Sequence, residues 1–471
     1  MRNKVLIILS STVLLLSSCS LAPKLSTPKM DMPSKYDNKT AQSINVNWWK
    51  NFNDPILNGL IDKALKNNDD LRIAAARIKQ AQAQLGITEA NLYPNISSSA
   101  GRVRQQSSKE TSPYHIRTTS STYTLSGIVS YELDLWGKLR NEKKAALHQL
   151  LSSKATQETI KLSLISNVAN TYFNLISIDR QLKIAENTEK NYKNTYEYRK
   201  KQYKYGTINK IVVSQTKAQY ENAKLLVETL KNQKAVMISS LSVLIGESPK
   251  RIFENNMEFS KELPNPIKIP PALPSTILED RPDIQAALEN LKAKNALIGA
   301  AKAAYFPSIS LTGILGFQSM ELSDLLQRSA KFWSLDTNAA QTIFDFGRTK
   351  SNVKLTEAQK EEAIAQYRQA VRNAFKEVFD ALNTLKTDTS KLKSQEELVN
   401  SLKNVLDLAN KRFDTGYSDY LEVLDAQKGY LNARLNLERL KEKVLADQIT
   451  LYKALGGGWK GFTNQKKIAK K

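Results

Sequence analysis

The sequence predicts a mostly α-helical fold with a small transmembrane β part, assembled from one strand-hairpin-plus-helix-hairpin unit used twice. Three observations carry this. Segments of about ten residues alternate apolar with small polar side chains, as strands of a membrane barrel do. Long stretches without Pro or Gly carry apolar residues at coiled-coil spacing. The same landmarks also return in the same order: Pro94 and Pro307 lie 213 residues apart, Gly137 and Gly347 lie 210 apart, and so do Gly206 and Gly416. A repeat at one offset marks a duplicated unit.

The chain opens with Arg2 and Lys4, then an apolar run from Val5 to Leu16 broken only by Ser10, Ser11 and Thr12. That layout is a secretory signal over 1–18, too short to anchor in a bilayer. Leu16-Ser17-Ser18-Cys19 resembles a bacterial lipobox, in which the Cys is lipidated and becomes the new N-terminus. Cys19 is the one cysteine in 471 residues, so neither an internal disulfide nor a thiolate metal site competes for it. A signal peptide with an incidental Cys is the alternative. Ser20, where sorting signals of retained lipoproteins carry Asp, favours the outer membrane.

A lipid-anchored segment is expected over 19–53 and a first repeat over 54–258. Within it a helix from Asp70 to Leu92 ends at Pro94, which disfavours helix before it. Strands follow at about 96–106 and 123–135. In the second strand Tyr123, Leu125, Gly127, Val129, Tyr131, Leu133 and Leu135 share one face, and Ile128 is the exception on the other. An ordinary half-buried strand would show the same alternation. Gly137 opens a helix over about 138–203, where Leu162, Ile165, Ala169, Tyr172 and Ile176 step by three and four. At 1.5 Å per residue such a helix is about 100 Å long. Gly206 breaks it, and a helix returns over about 208–245. The Pro-rich stretch 259–275 is a linker. The second repeat, 276–459, restates the parts: a helix from Asp283 to Tyr305, strands at about 308–318 and 331–341, and helices at about 348–412 and 419–455. Its seam is Ile364, Tyr367, Val371, Ala374 and Val378. A basic tail, 460–471, is expected to be disordered.

Four strands cannot close a membrane barrel, and an open sheet edge is not tolerated in lipid. Several chains must therefore share one barrel, with the helices forming a second tube. This is the architecture of a conduit.

Composition excludes more than it identifies. The formal charge is +23, from 69 Lys and Arg against 46 Asp and Glu, which raises nucleic acid as a partner. Yet the lysines are interleaved with Glu along the chain, and a signal sequence removes it from nucleic acid. Enzyme readings fail on inventory: His115 sits in a Ser/Thr-rich segment and His148 in a helix, with no nucleophile constellation near either. The carboxylates read as helix-surface charges. No cofactor is expected beyond the covalent lipid on Cys19.

The stretches "WWKNFNDPILNGLIDKALKNNDDLRIAAARI" (48–78), "YELDLWGKLR" (131–140), "LPSTILEDRPDIQAALENLKAKNALIGAAKAAYFPSISLTG" (273–313), "FDTGYSDYLEVLDAQKGYLNAR" (413–434) and "LYKALGGGW" (451–459) resemble the TolC-like outer membrane factor family. The resemblance, over about 20–460, is to its lipoprotein (NodT-type) branch associated with drug and metal efflux. It implies a homotrimer with a twelve-strand β-barrel joined to a periplasmic α-helical barrel. It also implies a periplasmic adaptor and a proton-driven inner-membrane pump as partners. The chain would sit in outer-membrane lipid of a Gram-negative bacterium. A type I protein secretion outlet shares the architecture, and a structural coiled-coil lipoprotein is a weaker alternative.

Two candidate sites follow. The helix-hairpin turns Tyr205-Gly206-Thr207 and Thr415-Gly416-Tyr417 lie farthest from the strands, where a periplasmic partner must meet the tube. Glu422 and Asp425, three apart and so on one helical face, match the acidic pair that lines the aperture in TolC-like channels, with Glu in place of Asp at the first. Arg412 and Tyr417 are candidates for contacts that hold such an aperture shut. Solvated charges at a helix start are the alternative for the acidic pair.

Overall fold

The computed structural model describes residues 20–26, 45–110, 114–267 and 280–462. The signal segment, Cys19, residues 268–275 of the linker and the tail beyond Phe462 lie outside them. The elements run α1 (Pro55–Asn67), α2 (Asp69–Ala90), β1 (Asn95–Gln106), β2 (Thr119–Leu133), α3 (Lys138–Lys204), α4 (Lys210–Leu244), α5 (Pro249–Glu254), α6 (Pro282–Ala303), β3 (Ser308–Ser319), β4 (Lys331–Ala340), α7 (Arg348–Asp414) and α8 (Tyr420–Ala454). Duplication shows in matched lengths: 22 residues in α2 and α6, 67 in α3 and α7, 35 in α4 and α8. No helix among the described residues is long and apolar enough to cross a membrane.

The chain divides into two compact units. One comprises Met1–Met30, Arg77–Lys154 and Ala286–Arg368. It holds an antiparallel sheet in the order β1-β2-β3-β4. The register sorts the side chains into two faces, because directly paired residues point the same way. Ile96, Val129 and Gly313 fall on one face with Leu335, and Leu125 and Phe317 fall there too. Ser126, Ser130, Thr312 and Asn338 fall on the other, together with the paired Ile128 and Ile314. Ile128 is thus matched by its cross-strand neighbour Ile314 on β3.

β2 ends at Leu133 rather than Leu135, because Asp134 is committed to the next element. Its carboxylate accepts from the backbone N–H of Leu139 and Arg140 at 3.0 and 2.9 Å, capping α3. Asp345 caps α7 in the same way, accepting from the Thr349 N–H at 2.8 Å. The two copies lock together where strands meet helices. The Trp136 indole donates to the Pro307 carbonyl at 2.7 Å and stacks on Phe306 at 4.7 Å. Residues 20–24 are seated in this unit: the Ser20 hydroxyl donates to Asn141 at 3.1 Å, and the Asn295 amide donates to the Pro23 carbonyl at 2.9 Å. Gly299 makes room for them, since a Cβ there would stand 2.8 Å from the Ala22 nitrogen.

The other unit comprises Asp31–Ala76, Ala155–Gln285 and Gln369–Lys471. Its main core gathers the first seam (Ile165, Ala169, Tyr172, Ile176) with α1, α4, α8 and Trp48–Phe52. Trp48 is fully buried and stacks on Tyr452 with ring centres 5.0 Å apart. The lipid-anchored segment expected over 19–53 therefore contributes its last residues to this core. Asp54 caps α1 through the Ile56 and Leu57 N–H groups and accepts the Tyr172 hydroxyl at 2.7 Å. Tyr172 in turn accepts from the Ser260 N–H, and Gln448 pairs with both backbone groups of Ile267. The described half of the linker is thereby tied to the core. Other apolar side chains on the long helices stay outward: Ile211, Leu225, Leu398 and Leu408 are exposed, the last two by 46% and 60%. Helices with a second apolar row expect further helical neighbours.

Lys443 lies between two carboxylates of this unit, 3.2 Å from Asp388 and 3.6 Å from Asp447. Burial pushes the adjacent Glu442 carboxyl up to about 7, against the pull of Lys443. A carboxyl raised by folding stabilises the native state fully below its unfolded value and loses that contribution as pH rises through the folded one. Glu442→Gln should therefore raise stability at about pH 8 by on the order of 1–2 kcal/mol, solvent screening included, and change little at about pH 5. Thermal melting at the two pH values checks this; equal shifts at both would contradict it.

Candidate functional site

The two helix-hairpin turns are built alike. At the end of α3 the Gly206 N–H donates to Tyr203 at 3.0 Å and the Thr207 N–H to Gln202 at 3.0 Å. At the end of α7 the Gly416 N–H donates to Phe413 at 3.0 Å and the Tyr417 N–H to Arg412 at 2.8 Å. This paired pattern closes a helix C-terminus and needs a left-handed residue at its centre. Gly206 and Gly416 supply it with φ of +73° and +79°. Thr207 and Thr415 add hydroxyl bonds to the last-turn carbonyls, at 2.8 Å to Gln202 and 2.9 Å to Lys411. Tyr205 and Tyr417 are left almost fully exposed, at 79% and 81%.

Glu422 lies in the first turn of α8, and both Glu422 and Asp425 are exposed. Tyr420, Val423 and Ala426 take the buried face, packing on Ala409, so the carboxylates are held outward by the helix phase. Arg412 reaches Glu422 at 3.5 Å and also donates to the Tyr417 carbonyl at 3.5 Å. The structure thus brings Arg412, Tyr417 and Glu422 together across one turn, with Asp425 a helical step beyond. Cys19 lies outside the described residues.

Sequence reasoning missed Arg199. Its side chain is only 12% exposed, and its guanidinium lies 4.6 Å from the Phe413 ring centre and 5.4 Å from that of Tyr420. Arg199 also donates to Gln202 at 2.8 Å and stands 3.8 Å from Asp414. One cation on the first hairpin thus holds the end of the second. Beside it a cleft of about 850 Å³ is lined by Tyr198, Arg199, Thr207, Gly416, Ser418 and Gln427. Arg199 Nε, Ser418 Oγ and Gln427 Oε1 are buried there without a hydrogen-bond partner among the described residues.

A sheet with one apolar face and two unpaired edges, duplicated with long helical hairpins, defines a channel-type outer-membrane protein. The chain belongs to the outer membrane efflux protein family, whose model matches residues 60–247 and 273–457. It is 33% identical over 457 residues to the probable outer membrane lipoprotein SilC of Salmonella typhimurium, covering 95% of this chain and 98% of that one. It is 33% identical over 453 residues to the cation efflux system protein CusC of Escherichia coli, covering 95% and 97%. Among solved structures, the CmeC outer membrane channel of Campylobacter jejuni superposes with a TM-score of 0.90 at 31% identity, covering 96% of this chain and 98% of that one. A CusC crystal structure gives 0.83 at 32% identity, covering 93% and 100%. The protein is the outer-membrane channel component of an efflux system, a passive conduit and not an enzyme.

Proposed function

We propose that three copies of the chain form a conduit that carries small toxic compounds, drugs or metal ions, from a periplasmic adaptor and a proton-driven inner-membrane pump to the exterior. The observation that supports this best is the four-stranded sheet, whose more apolar face runs from Ile96 through Val129 and Gly313 to Leu335, while β1 and β4 each keep an edge unpaired among the described residues. Joining β4 of one copy to β1 of the next removes every edge. Relatives point to the cargo class: CusC is named for cation efflux, and TtgC of Pseudomonas putida as a toluene efflux pump outer membrane protein. Deleting the chain's gene should sensitise cells to metal cations or to lipophilic organic compounds. Loss of a secreted protein with no change in sensitivity would favour a type I outlet instead.

The adaptor docks at the hairpin turns, where the cleft beside Arg199 offers buried polar atoms that a partner segment can satisfy. Gly206→Val and Gly416→Val force a β-branched residue into positive φ at about 1–2 kcal/mol each. Space is not the obstacle, since a Cβ at either position meets nothing within 4 Å. Both variants should lower crosslinking to the adaptor. Normal crosslinking in both would remove the turns from the interface.

The lipid on Cys19 anchors each copy beside the barrel. Ser20, the next residue, is already bonded to Asn141, in the first turn of α3 after the strand hairpin. Cys19→Ser should abolish fatty-acid labelling while leaving part of the protein in the membrane, because the barrel is an anchor of its own. A wild-type protein that takes up no labelled fatty acid contradicts the lipobox.

A further inference from the structure

The strands carry five charged residues, and the register separates them by sign. Arg102 pairs with Tyr123 and Arg104 with Ser121, while Lys331 pairs with Phe317, so all three cations lie on the apolar face. Glu132 pairs with Ser310 and Asp336 with Thr312, so both acids lie on the polar face. The cations also share one end of the sheet. Arg102 and Arg104 precede the β1–β2 loop and Lys331 follows the β3–β4 loop, at the end away from the helices. Toward the helix end the same face carries only Ile96, Leu133, Ile309 and other uncharged residues.

A cation facing lipid costs about 2–4 kcal/mol at the bilayer midplane and about 0–1 near the interface. These three therefore mark the interfacial level on the outward side. Aromatic rings mark the same level: Arg102 lies 5.2 Å from the Tyr123 ring centre and Lys331 lies 5.9 Å from that of Phe317, with the exposed Trp333 one row below. Aromatic residues at this depth form the girdle of a membrane barrel. Beyond the girdle lie the headgroups, and in the outer leaflet of an outer membrane these are phosphorylated glycolipid.

We propose that Arg102, Arg104 and Lys331 form a band that binds the phosphate groups of this outer-leaflet glycolipid. Arginine grips phosphate through paired N–H donors, and each basic residue near an anionic headgroup layer contributes about 1 kcal/mol. The band is split between the two free edges of the sheet, two cations on β1 and one on β4. Joining β4 to β1 of the next copy brings them side by side, so the full site rests on the shared-barrel reading and repeats at each junction between copies.

The test titrates the full-length protein in detergent with bisphosphorylated lipid A and with lipid A stripped of its phosphates, counting bound lipid by native mass spectrometry. The wild type should prefer the phosphorylated form by about tenfold or more. The triple variant Arg102→Gln, Arg104→Gln, Lys331→Gln should keep its assembled mass and lose that preference. Equal binding of the two lipids by the wild type, or an undiminished preference in the triple variant, overturns the proposal. If the triple variant fails to assemble, Lys331→Gln alone must lower the preference, and an unchanged value counts against the band. The assembled mass is read in the same spectrum, so failure of the shared barrel is distinguishable from failure of lipid binding.

Discussion

Trp48→Ala should destabilise the protein by about 3–5 kcal/mol. The indole is fully buried, stacks on Tyr452 and meets Trp49 and Phe52 edge-on at 6.1 and 6.5 Å. Its surroundings are tied on both sides, by Tyr172 to Asp54 and by Gln448 to Ile267. Surroundings held in this way relax only in part, and the residual cavity is what makes such changes costly. Trp48→Phe should be much milder. It keeps most of the ring and removes an indole N–H that is buried without a partner among the described residues. Melting of the purified protein decides this: similar losses in both variants would mean that ring volume is not what Trp48 contributes.

The double variant Glu422→Ala, Asp425→Ala should reduce cation selectivity in single-channel recordings. It should also weaken block by multivalent cations about tenfold or more, equivalent to about 1.4 kcal/mol. In the proposed trimer, a pair that lines the aperture would form a ring of six carboxylates. Like charges a few ångströms apart repel by about 1 kcal/mol per pair in water, and by more where water is scarce. Such a ring needs counter-charge to stay closed, and Arg412 stands 3.5 Å from Glu422. The pair is exposed on both sides, so its strength within one chain is small; its place beside the Gly416 turn is what matters. Unchanged selectivity and unchanged block would place both carboxylates outside the pore.

Much of the fold was legible because its signals are periodic or punctuated. Alternation located β2 and β3, and the weaker β1 and β4 followed from hairpin pairing. The glycines at 137, 206, 347 and 416 take positive φ, and each falls beside a helix end that the sequence had marked. The limits of β2 were less legible, because the pattern cannot tell that Asp134 caps α3. The core role of Trp48–Phe52 was hidden for another reason. Five residues of 3-10 turn have no period to read, and their partners lie in α3 and α8. At the candidate site, Glu422 and Asp425 were singled out by their resemblance to the acidic pair of TolC-like channels, and their spacing put them on one helical face. Arg199 was not, because one more basic residue in a Lys-rich helix gives no local sign of the aromatic rings that enclose it.

The shared barrel is the claim on which aperture, docking turns and lipid band all depend, and the mass of the protein extracted from native membranes tests it most directly. The extracted protein should run as three copies of the chain, each lending four strands to one barrel. A stable, folded, membrane-inserted single chain would contradict the account, because its β1 and β4 edges would then lie unpaired in lipid.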